Sequence, residues 1–89
     1  MRYRTREGIV ADLLTAAICT DGGGGVGIAT ILRRGNVSYA RASEMLESLV
    51  RAGLLSETEG GYAVTWDGLR YIEAYRAFES FARSFGLRL

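Results

Sequence analysis

Apolar residues at Ile9, Val10, Leu13, Leu14, Ala17 and Ile18 recur at steps of three and four, which predicts a helix from Thr5 to about Cys19 with one face turned inward. The stretch "TDGGGGVG", Thr20 to Gly27, ends it, because consecutive glycines lose the most backbone entropy in any regular element. "GIATILRRGN" then predicts a short helix with Ile28, Ile31 and Leu32 inward, closed by Gly35 and Asn36, which both tolerate left-handed backbone angles. Ser38 stands as the N-cap of a third helix running to about Ala52, with Gly53 just beyond its end. On that helix Ala42, Met45, Leu46 and Leu49 share the inner face, and Ala40, Ser43, Glu44, Glu47 and Arg51 the outer one, with Arg41 and Ser48 on the flank. "LLSETEGGYAV" reads as a hairpin with its tip at Glu59, Gly60 and Gly61, to which Val26 is expected to add one short strand. Thr65 caps a last helix from Trp66 to about Phe85.

Two short helices around a three- or four-residue turn make a helix-turn-helix, and helix, helix, helix, hairpin, helix is the order of a winged helix-turn-helix. The predicted class is therefore mainly α with a small β-hairpin (α+β). Residues 1–65 form the winged helix-turn-helix, and 66–89 form a C-terminal dimerisation helix of the same single domain. Gly68, Tyr71, Tyr75, Phe78, Ala82, Phe85 and Leu89 follow the seven-residue repeat of a coiled-coil seam, with Phe81 beside it. A helix of about 20 residues is about 30 Å long, so its second half is expected to project beyond the core and to need a partner. Tyr71, Tyr75, Phe78, Phe81, Ala82 and Phe85 are accordingly the expected homodimer interface. The competing expectation folds this helix back across helix one within a monomer. Arg70, Glu73, Arg76, Glu79 and Arg83 read as its solvated face.

Composition narrows the function mostly by exclusion. With 89 residues, 48% hydrophobic and 24% charged, the chain reads as one small soluble domain, and no apolar run is long enough for a membrane helix. The basic N-terminus leads into an amphipathic segment containing Asp12, unlike a signal peptide, so a cytoplasmic location is expected. One cysteine, Cys19, and no histidine leave no ordinary zinc cluster and remove the commonest general base. No catalytic residue, metal or cofactor is expected. The glycine stretch follows a helix, lacks lysine, and is not set in a βαβ unit, so it reads as a connection and not as a phosphate loop. All 11 basic residues are arginine and the net charge is only +1, so any nucleic-acid surface depends on where those arginines sit.

The run from Ile31 to Phe78 resembles the small archaeal winged-helix proteins whose last helix forms an antiparallel coiled coil in a homodimer. The likeness is carried by Asn36, Val37, Ser38 and Tyr39 entering the recognition helix; Leu46, Leu49, Gly53, Leu54 and Leu55 leaving it; and Gly61, Tyr62, Thr65, Gly68 and Tyr75 beyond. The resemblance implies a nucleoid-associated protein that binds double-stranded DNA as a transcription regulator or chromatin component, without enzymatic activity. It also implies a homodimer, with no membrane or metal involved. Where such proteins often carry lysines, this chain has Ser43, Glu44 and Glu47, and its wing tip "SETEGG" holds no cation. Carboxylates repel phosphate, so the wing is expected to be a poor clamp.

In helix-turn-helix docking the recognition helix offers its N-terminal residues to base edges, which makes Tyr39, Arg41 and Ser43 or Glu44 the candidate readers. Arg33, Arg34 and Ser38 are placed to contact phosphate, and Arg2, Arg4 and Arg6 form a basic arm with Tyr3. A rival reading presents Glu44, Glu47, Glu57 and Glu59 to a basic protein partner.

Overall fold

The computed structural model describes residues 5–19 and 24–87. These form α1 (Arg6–Ala16), α2 (Ile28–Gly35), α3 (Tyr39–Arg51), β1 (Leu55–Thr58), β2 (Gly61–Val64) and α4 (Trp66–Arg83). Among the described residues the architecture is the expected α+β plan of a winged helix: four helices and a two-stranded antiparallel hairpin. Thr20 to Gly23, the first half of the glycine stretch, lie outside the described residues, as do Arg2, Arg4 and Leu89.

Helix α1 begins where the Thr5 hydroxyl accepts the Gly8 N–H at 3.0 Å. It ends earlier than Cys19, because the Ala17 N–H bonds back to the Leu13 and Leu14 carbonyls and Ile18 to Thr15, a tightening last turn. The helix is buried on more than one face: Ile9, Leu13, Leu14 and Ala17 point into the core as expected, and Ala11 and Ala16 are covered as well. Both α2 and α4 pack on it, so it is the central member of the domain. Val10 and Ile18 sit at the margin of that core.

Helix α2 packs on α1 through Ile31, which is fully buried, with Ile28 and Leu32 half-buried beside it. Gly35 and Asn36 divide the roles assigned to them jointly. Gly35 is the last helical residue and is buried against α1, where a Cβ would meet Leu13 Cδ2 at 3.4 Å, within ordinary contact. Asn36 alone takes the left-handed conformation, at φ 54° and ψ 50°. Only Asn36, Val37 and Ser38 then separate α2 from α3, and Val37 is buried. The Ser38 hydroxyl caps α3 by accepting the Arg41 N–H. Ala42, Met45, Leu46 and Leu49 form its buried face, as their spacing predicts.

Gly53, at φ 82°, closes α3: its N–H bonds to Val50 and that of Leu54 to Leu49, a pair of bonds that satisfies the last carbonyls. The chain emerges into β1, whose Leu55 pairs with Val64 of β2 across a two-residue tip, Glu59 and Gly60. Val26 forms the expected short addition, donating to the Tyr62 carbonyl at 2.7 Å and accepting its N–H at 2.9 Å. Gly61 must be glycine there, because a Cβ would fall on the Val26 carbonyl.

Thr65 joins three elements: its hydroxyl donates to the Gly53 carbonyl at 2.6 Å and accepts the Gly68 N–H at 3.1 Å, while its own N–H reaches the Leu54 carbonyl. Helix α4 runs 18 residues, about 27 Å. It stops at Arg83 because Gly86, at φ 78°, turns the chain back, with Gly86 N–H bonding to Arg83 and Leu87 N–H to Ala82. Phe85 therefore lies in the closing turn. None of the described helices is long and apolar enough to cross a membrane.

A Cβ on Gly68 would collide with the Leu54 carbonyl and the Val64 side chain. Gly68→Ala is expected to destabilise the domain by about 1–3 kcal/mol, measured by urea unfolding, because α4 would have to lift off the α3–β1 turn. A Gly68→Ala protein as stable as the wild type would contradict this packing.

Candidate nucleic-acid interface

The three-residue turn holds the last turn of α2 beside the first turn of α3, and most of the candidate DNA-contact residues meet there. Tyr39, the first residue of α3, is 63% exposed and does not pack down on α2. Arg41 and Glu44 are exposed three residues apart, and Ser43 is half-buried with its hydroxyl donating to the Ala40 carbonyl at 3.4 Å. Ser38 uses its oxygen to cap the helix while remaining exposed. The exposed backbone N–H groups of this first turn add partial positive charge, favourable to an anion.

The arginines do not play equal parts. Arg33 is exposed, and its guanidinium has no hydrogen-bond or ion-pair partner among the described residues. The Arg34 guanidinium instead donates to the Ala16 carbonyl at 3.3 Å, at the C-terminal end of α1. That end has no basic residue of its own in its last turn, so Arg34 supplies from α2 the cation that the helix dipole favours. No local pattern announces this bond, which spans 18 positions. Arg6 starts α1, and the rest of the expected arm lies outside the described residues.

The negative groups also sort themselves. Glu47 is held by Arg51 at 2.8 Å, an exposed pair one helical turn apart. Glu44, Glu57 and Glu59 are exposed without a partner among the described residues, so the wing tip is acidic as its sequence implies.

The six residues expected to face a second subunit divide between two directions. Tyr71 is half-buried and donates to the Glu7 carbonyl at 3.1 Å; burial first, then the Glu7 charge and Tyr75, raise its pKa above the usual tyrosine value. The Tyr75 hydroxyl lies 2.9 Å from where a Cβ on Gly8 would stand, so this ring rests on the N-terminal turn of α1. Ala82 is only 4% exposed within the single chain, and Gly68 faces the α3–β1 turn. Phe78, Phe81 and Phe85 are 57%, 63% and 68% exposed, with the last two in an edge-to-face contact at 5.1 Å. The seven-residue seam is thus a composite: Gly68, Tyr75 and Ala82, with Ile72, turn into the chain's own fold, and the phenylalanines turn out. The neighbouring Ala74 and Ala77, absent from the expected seam, line an open groove of about 750 Å³ with Leu54, Tyr71 and the charged rim Asp67, Arg70 and Glu73.

A family model described as winged helix-turn-helix matches residues 3–83. Among solved structures, the DNA-binding protein Sso10a-2 from Sulfolobus solfataricus superposes with a TM-score of 0.74 at 20% sequence identity, covering 92% of this chain and 85% of that one. At that identity the likeness concerns the fold. No curated protein sequence matches the chain.

Arg34→Ala is expected to lower unfolding stability by about 0.5–1.5 kcal/mol through loss of the bond to Ala16, whereas Arg33→Ala leaves stability unchanged. Urea unfolding of the two variants side by side checks it; equal effects would remove the distinction.

Proposed function

The chain belongs to the winged helix-turn-helix family, and from that premise we propose that it binds double-stranded DNA as a homodimer, placing α3 in the major groove. The observation that carries this reading is the pair of exposed guanidiniums, Arg33 and Arg41, without a partner among the described residues, on either side of the turn into α3. An α-helix of about 10–12 Å diameter suits a groove about 12 Å wide. Arg33 and Ser38 then meet phosphate while Tyr39, Arg41, Ser43 and Glu44 face base edges. Arg34 has a structural task in the fold, so its share of phosphate contact is small. The acidic wing adds little attraction, and affinity depends on α2 and α3. This reading makes the protein a non-enzymatic, nucleoid-associated component, either a transcription regulator or a chromatin protein.

Pairing of two copies is supported by the outward face of α4. Its C-terminal half and the closing turn form a ridge, Phe78, Phe81 and Phe85; its N-terminal half is a groove lined by Ala74 and Ala77. A two-fold axis across α4 with antiparallel helices lays each ridge over the other copy's groove, whereas a parallel pair would oppose ridge to ridge. Burying the part of each phenylalanine still exposed is worth about 1–2 kcal/mol, and six of them across the pair favour a coiled-coil-like dimer against the cost of association. In this reading residues 66–89 serve as the dimerisation segment of the same domain.

A second reading has a specific observation behind it: Glu44, Glu57 and Glu59 stand without a partner among the described residues and could meet a basic protein surface.

Fluorescence anisotropy with labelled duplex over a salt series separates the two. The DNA reading predicts an affinity that falls steeply with salt, and weaker binding with a salt slope lower by roughly 0.9 per protomer for Arg33→Ala, which loses one phosphate contact in each copy. No binding in dilute salt would favour the protein-partner reading. Sedimentation tests the dimer: the wild type is expected to be dimeric at micromolar concentration and the Phe78→Asp, Phe81→Asp double variant monomeric. A monomeric wild type would overturn the pairing.

A further inference from the structure

We propose that α3 reads a G·C step by sequence, Arg41 pairing with guanine and Glu44 with the cytosine of a neighbouring base pair. The proposal rests on the DNA-binding reading above and gives it a substrate class: duplexes containing adjacent G and C in the contacted half-site.

On the exposed N-terminal half of α3 two charged side chains are free, Arg41 and Glu44, and neither is bonded to the other or to any other described residue through its side chain. Glu47, the next carboxylate, is already held by Arg51. A helix that merely coats DNA gains from cations at such positions and loses from a carboxylate, which phosphate repels. Glu44 becomes favourable in a major groove only where it meets hydrogen-bond donors. Cytosine offers its N4 amino group with no acceptor beside it on the same base, whereas the adenine amino group lies between N7 of its own ring and O4 of the paired thymine, acceptors that repel a carboxylate. Guanine presents O6 and N7 to a guanidinium fork, the commonest specific contact of arginine.

The spacing suits both at once. Residues three apart on a helix lie on one face with Cβ atoms about 5–6 Å apart, and successive base pairs rise about 3.4 Å. Arg41 and Glu44 therefore span neighbouring base pairs. Both lie in the part of a recognition helix that meets base edges, near the Ser38 cap. The acidic wing acts in the same direction, because a weak hold on phosphate leaves base contacts a larger share of the total.

The test uses the full chain and a pool of random-sequence duplexes, with sequencing of the bound fraction and anisotropy on individual duplexes. The expected outcome is enrichment of adjacent G and C, with about tenfold weaker binding when the enriched cytosine is changed to thymine with its pair. E44Q is expected to exchange the cytosine preference for adenine, which an amide pairs with in a bidentate way, while its affinity for random duplex rises. R41A is expected to lose the guanine preference alone. Binding without base preference, unaltered by E44Q, would overturn the proposal and leave the DNA-binding reading standing. Failure of the wild type to bind any duplex in dilute salt would overturn both.

Discussion

The close approach of α4 to the turn at Gly53 and Leu54 governs every feature outside the core. The carbonyls of both residues are taken by Thr65, and the next turn of α4 can settle there only because Gly68 has no side chain. That contact ties the end of α3, the base of the wing and the start of the long helix into one joint. With the hairpin anchored through Val26 to the connection before α2, the helix-turn-helix and wing are held in a single frame on α1. The orientation of α3 relative to α4, and hence of a DNA surface relative to a dimer axis, follows from that joint.

Much of this frame was legible because its signals are local. The inner face of α3 has the helical period, and the caps at Ser38 and Thr65, the left-handed Asn36 and the stop at Gly53 depend on residues within a few positions of one another. The bridge at Val26 could be anticipated from one apolar residue between glycines. What was not legible depends on neighbours distant in sequence. Arg34 looks like any other exposed arginine until α1 brings the Ala16 carbonyl beside it. The burial of Ala11 and Ala16 reflects packing on several sides of α1, which no single-face periodicity encodes. The end of α4 before Phe85 was announced by Gly86, a stop signal that the aromatic repeat masked.

The long helix shows how one aromatic repeat can hold two lines that face in different directions. Steps of seven through Gly68, Tyr75 and Ala82 describe the line turned into the chain's own fold, and the same steps through Tyr71, Phe78 and Phe85 lie only a fraction of a turn away. Small residues decide which line faces which way. Gly68 permits close approach to the α3–β1 turn, while Ala74 and Ala77 hollow the outer face that the phenylalanines rise from. The monomer and the proposed dimer thus draw on adjacent stripes of one helix. Tyr71 touches both, with its hydroxyl on the Glu7 carbonyl and its ring on the groove.

The central claim is that the turn from α2 into α3 forms the DNA surface, with little help from the wing. Backbone amide chemical shifts followed by NMR during titration with a short duplex test it most directly. The account predicts that the largest changes fall on residues 33 and 38–44, with small ones at the wing tip, residues 57–60. Changes centred on the wing or on α4, with the first turn of α3 unmoved, would contradict it.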